Sequence, residues 1–255
     1  MKTKLFLLSL ALVALLRFSF AQSRSTESIG ITDIIVIELA DNGDVWAGSA
    51  TQGVAFYQAS SNTWAYFDSL TPNSNLRSNS ITGIALSQIS GVPHSFIGTM
   101  KGGVITQSGG WDTIPNVSGI AVHGVAYRQD SLWVITPTNF VRFDSSFNHI
   151  HDYANPHPGV TCVASGQTQC AGFWMGTTNS GAFFTSNGTL TDSINSSNHS
   201  LINNHVNAVA VDVACNRVFI GTQGGFSSCP TGGPPCQNYT TSNGLPQNDV
   251  TAVVV

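Results

Sequence analysis

Short apolar runs, separated by polar and glycine-containing breaks, fill the chain after residue 22. Residues 205–225 read HVNAVAVDVACNRVFIGTQGG, two such runs around a polar break, and residues 80–103 repeat that outline as SITGIALSQISGVPHSFIGTMKGG. Runs of this length between turn residues are typical of β-strands, and no stretch shows sustained helical periodicity. The pattern predicts an all-β domain built from a repeated unit.

Five copies of the unit align on the aromatic residue of the second run. Ser or Thr lies three residues after the aromatic residue in every copy, and Gly lies two residues after it in four copies, with Ile135 as the exception. The aromatic residues are Trp46, Phe96, Trp133, Trp174 and Phe219, and the following Ser and Thr residues are Ser49, Thr99, Thr136, Thr177 and Thr222.

A second anchor opens each unit and occurs six times. It begins with Ile or Val and is followed by a short apolar run; the six runs start at Ile31, Ile81, Val122, Val160, Val206 and Val250. A four-stranded unit that recurs about every 40 to 50 residues is typical of a β-propeller blade. We therefore predict five antiparallel four-stranded blades and the first strand of a sixth. Their predicted bounds are 31–79, 80–119, 120–159, 160–204, 205–248 and, for the start of the sixth, 249–255.

The residue types fit positions in such a blade. The first strand lies nearest the axis, where small residues such as Gly83, Gly124 and Ala208 relieve crowding. The aromatic residue of the second strand is expected to be buried between blades. The Gly after it allows a close approach of neighbouring chain, and the Ser or Thr is expected to hydrogen-bond the turn backbone. In the fifth unit, the four strands are predicted at 206–212, 217–221, 225–228 and 237–240.

Three units share a lead-in of the form L-x-x-N-x-[IV], at 76–81, 201–206 and 245–250. Together with the later W/F-x-G-T-x-x-G-G, this lead-in resembles the two-component regulator propeller repeat over about residues 30–255. The third unit departs, because Ile135-Thr136-Pro137 replaces its Gly-Thr and it has no leucine lead-in. The resemblance implies a propeller, often seven-bladed, that forms the periplasmic ligand-sensing part of membrane histidine kinases in Bacteroidetes-like bacteria, or that is secreted without a kinase.

The family pattern leads us to expect that this chain is a truncated seven-bladed propeller. We expect its partner to be a membrane histidine kinase portion, located in C-terminal sequence beyond residue 255. A closed ring of five blades is the alternative.

The first 21 residues are expected to be a signal peptide. Lys2 and Lys4 form a basic start, and 5–16 is an apolar stretch too short to span a membrane. Ser19 and Ala21 supply small residues before a cleavage site at residue 22. Residues 22–30 would then be an N-terminal lead, and the mature chain would be periplasmic or secreted. A retained anchor helix is the alternative.

Composition restricts the classes of partner and of cysteine chemistry that the chain supports. Only 9% of the residues are charged, the net charge is −4, and the 9 Lys and Arg form no basic run, so a nucleic-acid partner has no support.

Five cysteines are present, and an exported chain can form disulfides. Cys229 and Cys236 flank PTGGPP and could pair, and Cys162 and Cys170 could pair across a predicted hairpin, which leaves Cys215 over. Free thiols are the alternative. Without C-x-x-C spacing, a zinc or redox site has no support.

The loops that precede each first strand, here called the lead-in loops, and the turns after the aromatic motif are expected to share one face. Ligands commonly bind at the loop face of a propeller, and the side chains here are mostly neutral hydrogen-bonding groups. They suit a small polar ligand such as an oligosaccharide, bound without a metal or cofactor. Ordinary turn chemistry is the alternative. The candidate residues are Asn79, Lys101, Asn179, Asn204, His205, Gln223 and Asn248.

Other motifs are interpreted as structural. DNGDVWAG at 41–48 is similar to the Asp-box turn of sialidases and is predicted to be a hairpin turn. His149 and His151 would share one face of a strand, as a metal pair would, but an exposed polar strand is favoured.

The chain holds no G-x-S-x-G or H-E-x-x-H motif, so no catalytic residue is assigned. We predict a sensing or binding propeller; the alternative is a secreted polysaccharide-acting hydrolase or lyase.

Overall fold

The computed structural model describes residues 30–107, 110–157, 159–165, 172–212, 214–253 and 255. Within the unit 31–255, strands β1 to β20 form five four-stranded sheets. Each sheet is an antiparallel meander in chain order, as expected for a blade. The predicted signal peptide, 1–21, lies outside the described residues, and so does most of the lead at 22–30.

The first three blades occupy the first part of the unit. Blade 1 holds β1 (Ile34–Leu39), β2 (Val45–Ser49), β3 (Val54–Gln58) and β4 (Thr63–Phe67). Blade 2 holds β5 (Ile81–Ile89), β6 (Val92–Thr99), β7 (Gly102–Gln107) and β8 (Gly110–Thr113). Blade 3 holds β9 (Gly124–Arg128), β10 (Ser131–Ile135), β11 (Asn139–Phe143) and β12 (His149–Ala154).

The last two blades follow the same plan. Blade 4 holds β13 (Val160–Ser165), β14 (Phe173–Thr177), β15 (Ala182–Thr185) and β16 (Leu190–Ile194). Blade 5 holds β17 (Val206–Val211), β18 (Arg217–Thr222), β19 (Gly225–Pro230) and β20 (Gln237–Tyr239), followed by a 3-10 turn at Thr241–Asn243. The all-β propeller prediction is confirmed, and the strands of blade 5 fall within two residues of their predicted bounds. No helix in the described residues has the length and apolarity needed to cross a bilayer.

The first strands of consecutive blades lie side by side, in register. A Cβ atom added to Gly83 of β5 would lie 3.2 Å from the Cα atom of Gly124, which holds the same position in blade 3. A Cβ atom on Gly124 would in turn collide with Val163 of blade 4. Small residues are therefore required where the inner strands crowd, as the repeat predicted. Because the blades are in register, equivalent turns of every blade lie at the same end.

Each of the four interfaces between consecutive blades holds one hydrophobic cluster. The aligned aromatic residues Trp46, Phe96, Trp133 and Trp174 are all buried in these clusters, as predicted. The fifth, Phe219, is only half-buried and borders a cavity of about 420 Å³ with Phe226 and residues of the 245–255 segment. Its burial is incomplete because that segment covers it only partly.

In blades 1, 2, 4 and 5, a glycine contacts a β-branched residue of the segment that follows the blade; blade 3 has Ile135 in place of this glycine. The aligned Gly of one blade lies directly beneath the Ile or Val that opens the first strand of the following blade. A Cβ atom on Gly98 would lie 2.7 Å from Val122 Cγ1, too close for van der Waals contact. The pairs are Gly48 with Ile81, Gly98 with Val122, Gly176 with Val206, and Gly221 with Val250.

The sixth predicted strand is represented by one backbone contact of Val250 with blade 5. Val250 N donates a hydrogen bond to Thr222 O at 3.0 Å, just as Val122 N donates to Thr99 O at 2.9 Å. Asn207 Nδ2 donates to Val250 O at 3.2 Å, so the segment is attached to blade 5. No strand is assigned to the described residues of 249–255.

The cysteines pair differently from the prediction. Cys229 and Cys236 form the expected disulfide. The pairing of Cys162 with Cys170 is wrong, because Cys162 is a free thiol; Cys170 lies outside the described residues. Cys162 lies on the inner strand β13 with its Sγ against Gly176, and burial raises the pKa of this thiol to about 11, so it stays protonated at neutral pH. Cys215, expected to be left over, is disulfide-bonded.

We predict that Gly98→Ala destabilises the fold by about 1–3 kcal/mol, because the added methyl group overpacks the contact with Val122. Gly232→Ala is the matched control, since a Cβ there meets nothing within 4 Å. Neither glycine has a positive φ that would disfavour alanine. Urea unfolding followed by tryptophan fluorescence measures both changes. Equal midpoints for the two variants would contradict the packing account.

Candidate functional site

The turns after the aligned Ser and Thr are held by those hydroxyl groups. Thr99, Thr136, Thr177 and Thr222 each donate from Oγ1 to a backbone carbonyl across the turn, at 2.8–3.0 Å. Ser49 differs only in the bond that it donates, which runs from Oγ to Thr32 O at 2.7 Å. Like the threonines, it also accepts from backbone N–H groups of its turn. The repeated hydroxyl therefore shapes the turns that carry the predicted ligand-binding residues.

These turns and the lead-in loops share one end of the blades, as predicted. Gly53 N donates to Asn79 O at 2.9 Å, Gly181 N to Asn204 O at 3.0 Å, and Gln223 N to His205 O at 3.2 Å. In blades 1, 4 and 5, a backbone hydrogen bond thus ties the turn to the lead-in loop of the next or the same blade. The surface made by these loops and turns is called the loop face below.

The three lead-in asparagines hold the loops together through their side chains. Asn79 Oδ1 accepts from Ser69 N at 2.7 Å, Asn204 Oδ1 from Ser196 N at 2.8 Å, and Asn248 Oδ1 from Thr241 N at 2.8 Å. In each case the donor lies 7 to 10 residues earlier in the chain. The amide oxygen is therefore used within the fold, and a ligand role for these residues stays a prediction.

The remaining candidates differ in exposure. Lys101, Asn179 and Gln223 are exposed at the tips of the turns of blades 2, 4 and 5, at the same end of the molecule. His205 is half-buried, and its backbone N–H is held by Asn203 Oδ1 at 2.7 Å. The geometry thus brings three exposed hydrogen-bonding side chains, from three blades, to the loop face.

The two motifs interpreted as structural have local partners. Asp44 N donates to Asn42 Oδ1 at 3.0 Å, and Gly43 has φ of 88°, so 41–44 is the predicted hairpin turn. His149 lies on the exposed strand β12 and pairs with Asp152 at 2.8 Å. Among the described residues, no group of three or more His, Cys, Asp or Glu side chains is arranged to hold a metal ion.

A cleft that the sequence did not indicate lies between blades 1 and 2. It has a volume of about 640 Å³ and opens at the end opposite the loop face, where β1 turns into β2 and β5 into β6. Buried side chains, including His94 and Thr106, form its floor, and exposed residues such as Asp41 and Gln88 form its rim.

Aromatic rings form one wall of this cleft. Trp46 and Phe56 are 4.4 Å apart between ring centroids, Phe67 and Trp111 are 4.6 Å apart, and Trp46 and Trp111 are 6.1 Å apart. All four rings line the cleft. They form a continuous apolar surface beside the polar floor.

Glu38 contributes a carboxyl group to the cleft. It lies on β1, where Ile37 and Leu39 are exposed on the other face of the strand and Glu38 is half-buried. Burial raises the pKa of the Glu38 carboxyl from its ordinary value to about 7, because the charged form loses solvation. The sequence signal that could have indicated this carboxyl group is the single Glu in the otherwise apolar run IIVIEL.

Comparisons with known proteins identify the fold. No family model matches the chain, and no curated protein matches it. Solved structures do: the extracellular domain of the one-component system BT4673 from B. thetaiotaomicron matches with 20% identity and a TM-score of 0.56, over 77% of this chain and 26% of that chain.

Two further structures illustrate the range of similar proteins. The extracellular domain of the hybrid two-component system BT3049 from B. thetaiotaomicron matches with 15% identity and a TM-score of 0.52, over 91% of this chain and 38% of that chain. An ancestral GH74 enzyme matches with 14% identity and a TM-score of 0.63, over 85% of this chain and 32% of that chain. This chain therefore spans between 26% and 38% of these three structures. At such identities, the similarity establishes a shared propeller fold.

We predict that Asn204→Ala lowers the free energy of unfolding by about 1 kcal/mol, because it removes the hydrogen bond from Ser196 N. Asn179→Ala is the matched control: Asn179 is exposed and makes no hydrogen bond with the described residues, so the change should stay below about 0.5 kcal/mol. Thermal unfolding by circular dichroism compares the two. If Asn204→Ala melts like Asn179→Ala, the lead-in asparagine does not hold its loop.

Proposed function

We propose that this chain is an exported ligand-sensing or ligand-binding propeller, periplasmic or secreted, whose loop face recognises a carbohydrate or another small polar molecule. The observation that carries the proposal is the placement of exposed Lys101, Asn179 and Gln223, from three blades, at one end of the molecule. A sugar has many hydroxyl groups, and neutral donors and acceptors spread over several loops can bind them together.

Structural similarity supports a sensing role. BT4673 is a one-component system and BT3049 a hybrid two-component system of B. thetaiotaomicron, and their extracellular domains share the propeller fold with this chain. In the proposed role, ligand binding at the loop face produces a signal that is transmitted to a membrane histidine kinase portion, which is the partner.

A second function is favoured by one finding. The GH74 enzyme shares the fold, so a secreted polysaccharide-acting hydrolase or lyase is the alternative. Release of reducing sugar ends from a polysaccharide that the purified chain binds would decide for this alternative. Binding without any such release supports the sensing role.

The loop face is tested with the combined variant Lys101→Ala, Asn179→Ala and Gln223→Ala. An array of neutral oligosaccharides selects the best-bound sugar, and isothermal titration calorimetry then measures its affinity. We expect the combined variant to bind at least about tenfold more weakly, at an unchanged melting temperature, because all three side chains are exposed.

The control is Ser60→Ala, an exposed residue in the turn between β3 and β4 at the opposite end of blade 1. It should leave the affinity unchanged. If the combined variant retains full affinity, or if the chain binds no oligosaccharide on the array, the proposed ligand site is wrong.

A further inference from the structure

Carboxyl groups dominate the charge of the cleft between blades 1 and 2. Glu38 of β1, and Asp41 and Asp44 of the turn that follows, all line it. Among its lining residues in the described part of the chain there is no Lys or Arg. A cleft with this charge attracts cations and repels anions.

The acidic groups differ in whether their oxygens already accept hydrogen bonds or form salt bridges within the chain. Asp44 is used by the turn, because its Oδ1 accepts from Ala59 N and its Oδ2 from Asn42 Nδ2, both at 2.8 Å. Glu38 makes no salt bridge among the described residues, and burial alone accounts for its raised pKa. Its carboxyl is therefore a half-buried acid with no salt-bridge partner in the described part of the chain.

The other titratable group facing the cleft is His94 of β6. Its Nδ1 lies 2.9 Å from Val92 O, and its ring stacks on Phe96, with centroids 6.2 Å apart and an interplanar angle of 13°. The ring also lies near Phe147 of blade 3. His94 thus packs on Phe96 and near Phe147 while it forms part of the cleft floor.

We propose that this cleft binds a small organic cation, a quaternary or protonated amine with apolar substituents, whose charge lies beside Glu38 and whose substituents pack on Trp46 and Trp111. The aromatic faces attract a cation through their quadrupoles, most strongly when water is excluded. A carboxylate beside the same rings adds the counter-charge that the cation needs. The cleft lies opposite the loop face, so this site is separate from the one proposed for that face.

The pH dependence distinguishes a cation from a neutral ligand. Because the pKa of Glu38 in the folded chain is about 7, the carboxyl is mostly neutral below that pH and mostly charged above it. A permanent cation prefers the charged carboxylate, so its affinity should rise about tenfold from about pH 6 to about pH 8 and then level off. A neutral sugar stacked on the same rings would gain nothing from that ionisation.

The probe is choline, whose charge does not titrate, and 3,3-dimethyl-1-butanol is its uncharged isostere. We expect choline to change the fluorescence of Trp46 and Trp111 in a saturable way, and the isostere to bind at least about tenfold more weakly. Glu38→Gln, which keeps the side-chain size, should weaken choline binding about tenfold or more at about pH 8 and remove the pH dependence.

The matched control is Asp130→Asn, which removes a carboxylate from an exposed turn at the same end of blade 3, outside the cleft. It should bind choline like the unchanged chain. Trp111→Leu, a second variant, should weaken choline binding while the melting curve shows a folded chain. The proposal is overturned if choline does not bind, if choline and its isostere bind equally, or if cellobiose binds in the cleft in place of choline.

Discussion

The architecture depends on one repeated contact: at three of the four interfaces between blades, a β-branched side chain at the start of one blade lies on a glycine of the blade before it, and Ile135 takes the place of that glycine at the fourth. A Cβ atom at Gly48 would lie 2.6 Å from Ile81, and one at Gly221 would lie 2.9 Å from Val250. At Gly48, Gly98 and Gly176 only glycine leaves room for that side chain, so the contact sets how closely those blades approach. With the distance fixed, the inner strands are in register and the large aromatic residues fill the wider space further out.

The register in turn decides where function can lie. Equivalent turns of all blades meet at one end, and the threonine hydroxyls and lead-in asparagines hold the backbone of those turns. Most conspicuous polar residues of the repeat therefore serve the fold. Exposed side chains at the turn tips and the cleft between blades 1 and 2 carry the two ligand sites proposed above.

The sequence predicted the parts of the structure that repeat. Periodic aromatic, Gly and Ser or Thr positions predicted the blades, the strand order and the shared loop face, because most copies repeat the same packing contacts. Features that occur once were missed: the free thiol of Cys162, the bonded Cys215 and the cleft beside Glu38. Spacing along the chain cannot show which side chains meet across blades, and a cleft arises only when two blades are placed together.

The central claim, that the glycine exists to receive the next blade, is tested most directly by a double-mutant cycle on Gly98 and Val122. Removing two methyl groups by Val122→Ala makes room for the Cβ added by Gly98→Ala. The account predicts that the double variant loses less unfolding free energy than the two single variants lose in sum. In urea unfolding, the difference should be at least about 0.5 kcal/mol. Strictly additive losses would contradict it, because they would show that the two side chains do not compete for the same space.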